Sequence, residues 1–169
     1  EEGVKEVSRT FFGKLFQTYN FFVTYANEDH FTGNEPQVET RPEMDRWILS
    51  ELQTLIAGVT EALEDYEPTR AGRLISAFVI DNLSNWYVRL GRKRFWAGDM
   101  DDDKLSAYQT LYRCLTTVAR LMAPIAPFYA DSLYRDLTAN ADDKAPSVHL
   151  ADFPQAEGEI NVELERRMA

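Results

Sequence analysis

The sequence predicts an all-α protein, and three observations carry that prediction. Apolar residues return at spacings of three and four through several separate stretches, which is the repeat of one helix face. Prolines, glycines and short polar runs punctuate the gaps between those stretches. No alternation of apolar and polar residues outlasts one short segment, so a sheet has little to form from. The expected architecture is an antiparallel bundle of four to five helices with a short extended C-terminal segment. Residues 1–146 would form the bundle, and residues 147–169 the extended segment and the start of a following helix.

The first stripe is Val4, Val7, Phe11, Leu15, Phe16, Tyr19, Phe22 and Val23, and its helix should end near Asn27. Residues 28–40 hold Gly33, Asn34 and Pro36 without periodicity, which predicts a loop. Pro42 suits a first helical turn, and Glu43 and Asp45 suit the positive end of the helix dipole. Trp47, Ile48, Leu52, Leu55, Ile56, Val59 and Leu63 then form a second stripe reaching about Asp65. Pro68 opens a third helix in which Leu74, Ile75, Phe78, Val79, Leu83, Trp86 and Leu90 share a face as far as Trp96. Asn82 interrupts that stripe and should be hydrogen-bonded inside the bundle. After a break at Ala97 and Gly98, the acids Asp99, Asp101, Asp102 and Asp103 read as the cap of a fourth helix that carries Leu105, Leu111, Leu115 and Met122. Pro124 and Pro127 force a kink or restart before a fifth helix with Phe128, Leu133 and Leu137. Ser147, Val148, His149 and Leu150 are expected to be extended.

With 169 residues, 44% of them apolar and 12% aromatic, the chain can bury one core and fits one domain. The single cysteine, Cys114, excludes a disulfide framework and a thiolate zinc site. Nothing resembles a leader or a membrane span, so a cytoplasmic setting is expected. Both ends read as cuts, because the first residue is Glu1 and residues 162–168 look like a helix just begun.

Catalysis needs titratable groups that converge, and the sequence offers none in a recognisable pattern. His30 and His149 stand alone, Gly72, Gly91 and Gly98 are isolated, and no phosphate-cradling glycine motif occurs. No catalytic residue, metal site or cofactor is expected within the chain. The acidic run at residues 99–103 reads as a solvated cap, since no ligand set accompanies it.

One constellation carries function. Arg89, Arg92, Lys93 and Arg94 form a local basic run in a chain of net charge −10, and Trp96 follows within a turn. Arg89, Arg92, Lys93 and Trp96 share a helix face. Cations hold phosphates while an exposed aromatic stacks on an unpaired base, which makes these five residues candidate RNA contacts. Cations at a helix C-terminus are favoured by the dipole as well, so a purely structural role stays open on the residues alone. So does a helix bundle that engages other proteins and never touches RNA.

Four runs then point to a family: D-R-W-I-L-S-E-L at residues 45–52, N-L-S-N-W-Y-V-R-L-G-R-K-R-F-W at 82–96, L-M-A-P-I-A-P-F-Y-A-D-S-L-Y at 121–134 and S-V-H-L-A-D-F-P at 147–154. Their order resembles the anticodon-binding domain of class I aminoacyl-tRNA synthetases of the isoleucyl, valyl, leucyl and methionyl group. The second and fourth runs together look most like the isoleucyl branch, with valyl and leucyl as alternatives. The resemblance implies a domain that docks a tRNA anticodon stem-loop and packs with catalytic and C-terminal domains of a parent chain. That parent would use ATP and Mg at H-I-G-H and K-M-S-K-S elements, neither of which occurs here.

Overall fold

A computed structural model describes residues 2–96, 98–158 and 160–168, without the side chain of Val4. The place of Val4 on the first stripe, and the break at Ala97, therefore fall outside the described residues. The fold is all-α. The first expected helix is α1 (Glu2–Val7), a π-helical segment (Ser8–Phe12) and α2 (Gly13–Glu28), joined with helical backbone at each junction. The second is α3 (Glu43–Glu64), with Pro42 as its N-cap. The third begins at Pro68, as α4 (Pro68–Ala77), then a π-helical segment (Phe78–Val88) and α5 (Arg89–Trp96). The fourth is α6 (Asp102–Met122), and the fifth α7 (Pro127–Leu137) with its proline in the first turn.

Helix α6 is the hub, touching α2, α3, α4, α5 and α7. Its Tyr108, Leu111, Cys114, Leu115 and Val118 are wholly buried, and burial pushes the Cys114 thiol well above its usual range. Its start is set by Asp101, whose side chain accepts the Lys104 N–H. The loop at residues 29–42 is tied down although it has no periodicity. Phe31 stacks on Tyr108 at 5.3 Å between ring centroids, and the Gln109 side chain accepts from Val38 N–H and donates to the Pro36 carbonyl. Gly33 turns here with φ 89°, and a Cβ there would sit 3.1 Å from the Tyr112 ring, so glycine is required twice over.

Four expectations need correction. Val7 and Phe16, assigned to the first stripe, are 52% and 53% exposed. Trp86, expected in the core, is 36% exposed and lies against Trp47, while Leu90 is 59% exposed. Both lie in or just after the π-helical segment, where i→i+5 bonding adds residues to each turn and slides the 3.6-residue stripe off the buried face. Phe128, assigned to the fifth stripe, is 91% exposed. The run at 147–150 is not extended: Val148–Leu150 is one 3₁₀ turn, because Asp131 accepts from Ser147 Oγ and Val148 N–H. These two bonds also hold the Asp131 carboxyl below its usual range. The chain then crosses α3 and α6 and ends in α8 (Val162–Met168), which buries Leu164 beside α3. Asn82 is half-buried beside the Glu51 carboxyl, which burial and then the Glu165 charge push above its usual range against the opposing bonds from Trp47 and Asn82.

Candidate nucleic-acid interface

Helix α5 has two faces, and the sequence explains both. Gly91 and Phe95 are buried, with the Phe95 ring edge-on to Phe21 and Tyr108 at 5.1 Å each. This aromatic contact clamps α5 between α2 and α6. The opposite face carries Arg89, Arg92, Lys93 and Trp96, all exposed. Trp96 keeps 54% of its surface in solvent and leans on Tyr25, 6.4 Å away between ring centroids. Lys14 of α2 donates to Asn85 Oδ1 at 3.3 Å, adding a cation beside the base of the helix.

Arg94 points the other way. Its Nη1 and Nη2 reach the two oxygens of Asp45 at 2.6 and 2.8 Å, and its Nε reaches Asp103 Oδ2 at 3.0 Å. Asp45 is fully buried and also accepts from Tyr87 Oη at 2.7 Å and from Ser106 Oγ. Burial works against the charge on Arg94, but the bonds to Asp45 and Asp103 outweigh it, so the guanidinium holds its proton more tightly than a free arginine. Burial, and then the Asp45 charge, push the Tyr87 phenol up. One basic run is thus divided by the helix: Arg89, Arg92 and Lys93 lie outside, and Arg94 locks α5 to the first turns of α3 and α6.

Asp45 is the residue that sequence reasoning placed differently. It sits in the first turn of α3 as expected of a dipole-favoured acid, yet its work is in the interior. Nothing in the charged run Glu39–Arg46 marks it out, because its buried partners Tyr87, Arg94 and Ser106 come from distant parts of the chain. His30 and His149 are not brought together with other ligands. Among the described residues no three His, Cys, Asp or Glu side chains gather to hold a metal ion, and no helix is long and apolar enough to cross a membrane.

A helical domain that uses buried ion pairs and aromatic contacts to hold one cationic helix face outward has the build of a binding module. Residues 45–169 match the family model described as "Anticodon-binding domain of tRNA ligase". The chain belongs to that family. It is 63% identical to an isoleucine–tRNA ligase of Porphyromonas gingivalis over 170 residues, covering 99% of this chain. It is 62% identical to that of Bacteroides thetaiotaomicron over 99% of this chain, and 49% identical to that of Thermus thermophilus over 91%. It spans about 15% of the length of these relatives.

Proposed function

We propose that the chain is the anticodon stem-loop-binding domain of an isoleucine–tRNA ligase, and that it docks tRNA(Ile) on the outward face of α5. The observation that carries this reading is the grouping of Arg89, Arg92, Lys93 and Trp96 on one exposed face of a molecule with net charge −10. Cations on that face replace phosphate counterions, and the indole offers a surface for an unpaired base. Arg94 supports the face from beneath. Residues 1–146 are the anticodon-binding bundle, and residues 147–169 the segment and helix that follow it. Docking the stem-loop orients the acceptor end toward a catalytic domain elsewhere in the parent chain, where ATP and Mg are used. The setting is cytoplasmic, and the partners are tRNA and the neighbouring domains. Relatives named for isoleucine at 49% to 63% identity favour isoleucine over valine or leucine.

The test is a titration with tRNA(Ile) at several salt concentrations. Paired Arg92→Glu and Lys93→Glu substitutions should weaken binding and flatten its dependence on salt. Wild-type affinity in the double variant at every salt concentration would sink this reading and favour a bundle that serves protein contacts.

A further inference from the structure

The two ends of the bundle differ in chemistry. Helix α2 and the helix that ends in α5 run side by side in the same direction, since Lys14 meets Asn85, Phe21 meets Phe95 and Tyr25 meets Trp96. The proposed RNA face ends at their C-terminal turns. At the opposite end, between α1, the π-helical segment after it, α4 and the junction of α6 with α7, lies a groove of about 230 Å³. Val7, Phe11, Phe12, Ile75, Met122 and Ile125 line it. Phe12 adjoins the start of α2 and Tyr25 lies near its end, so about 20 Å of helix separates the groove from the Trp96 platform.

This groove has little to offer a polyanion, because Arg73 alone among its lining residues is charged. Apolar surface instead continues past its rim. Phe16, one turn beyond Phe12, and Phe128, two residues past Ala126 of the wall, stand in solvent together with Val7 and Ile125. The surface beneath is firm: Phe12 packs edge-on against Phe11 and Tyr129, each at 4.9 Å between ring centroids. Apolar side chains scattered singly over a protein need no explanation, whereas a contiguous patch marks a contact site.

We infer that this groove is the seat of another domain of the same ligase polypeptide, which covers it with an uncharged aliphatic or aromatic surface. The inference rests on the reading of the chain as one domain of a longer ligase, and not on the RNA face. Size selects the occupant. An apolar patch of this kind measures a few hundred Å², short of the ~800 Å² per partner that two free molecules bury in a stable complex. A domain on the same polypeptide needs less, because its linker holds it at an effective concentration in the millimolar range. The chain spans about 15% of the length of its ligase relatives, so most of such a polypeptide is available to cover the groove. The patch is thus too small for a second free copy of the chain and too poor in cations for RNA.

The experiment is hydroxyl-radical footprinting, read by mass spectrometry, on the full-length ligase and on the 169-residue chain. Ile125 and Phe128 should react several-fold less in the ligase than in the chain. Phe128→Asp in the ligase should return Ile125 to the reactivity it has in the chain, and Phe128→Leu should keep it protected. Because Phe128 is exposed in the domain itself, the Asp variant should leave the urea midpoint of the 169-residue chain unchanged. Equal reactivity of Ile125 and Phe128 in the two proteins overturns the inference, and so does protection of Ile125 that Phe128→Asp leaves intact. Protection in the 169-residue chain that rises with its concentration overturns it in favour of a second copy. Protection that appears in the ligase only once tRNA is added overturns it in favour of RNA. None of these outcomes touches the salt titration of the Arg92 and Lys93 variant, so the α5 reading stands or falls separately.

Discussion

Arg94 and Asp45, 49 residues apart in the chain, form a two-pronged ion pair in which the carboxylate is wholly buried and the guanidinium side chain is 16% exposed. Removing one partner of such a pair strands the other charge in a medium that solvates it poorly. Asp45→Ala is therefore expected to destabilise the fold by about 3–5 kcal/mol. It also strips Tyr87 and Ser106 of their acceptor. Urea unfolding checks this, and a midpoint equal to that of wild type would show that the pair does not fasten α5 to α3.

Trp96 sits across from that lock, with its indole half in solvent and its other contact made to Tyr25. A stacked base is worth about 1–3 kcal/mol on such a platform. Trp96→Ala should lose that much affinity for tRNA(Ile) with little change in urea midpoint, whereas Trp96→Phe should retain most of it. Equal affinity for the alanine variant and wild type would restrict the proposed RNA face to its cations.

What the sequence made legible follows from the range of each interaction. The start of α4 at Pro68, the capping of α6 by Asp101 and the restart at Pro127 depend on neighbours in the chain, and residue type alone announces them. The exposure of Trp86 and Leu90 was not legible, because the wide turns of residues 78–88 break the period on which the stripe was counted. Nor was the inward turn of Arg94. Four adjacent cations look alike in sequence, and only the arrival of Asp45 from α3 and Asp103 from α6 separates the third arginine from the others.

Asp29 is an acid whose protonation is linked to stability. Burial pushes its carboxyl up, but hydrogen bonds from Lys104 and Tyr108 outweigh that and leave it below its ordinary 3.8. A carboxyl depressed in the folded state stabilises the fold above its unfolded value and loses that contribution as pH falls through the folded one. The stability gap between wild type and Asp29→Asn should therefore be full at about pH 7 and close progressively below about pH 4. Urea midpoints across that range provide the check. A gap that widened on acidification would mean that the ion pair with Lys104, 2.7 Å long, does not govern this carboxyl.

Gly158 lies where the C-terminal segment crosses α3. A Cβ there would approach Cγ and Cδ of Gln53 at 3.0 Å. Gln53 is buried, and its Oε1 accepts from both Glu157 N–H, at 3.1 Å, and Gly158 N–H, at 3.2 Å, so its amide cannot retreat without releasing two donors. Replacing glycine by alanine usually gains about 0.4–1 kcal/mol from the unfolded chain when the backbone permits it. Orphaning a donor costs about 1–3 kcal/mol, which is the larger effect. Gly158→Ala should thus be net destabilising, and amide exchange at residues 157 and 158 should quicken before exchange in α6 does. If the alanine variant were as stable as wild type with those two amides still protected, Gln53 would have room to shift. The C-terminal segment would then be held on α3 by something other than this clamp, with Leu164 of α8 the next contact to vary.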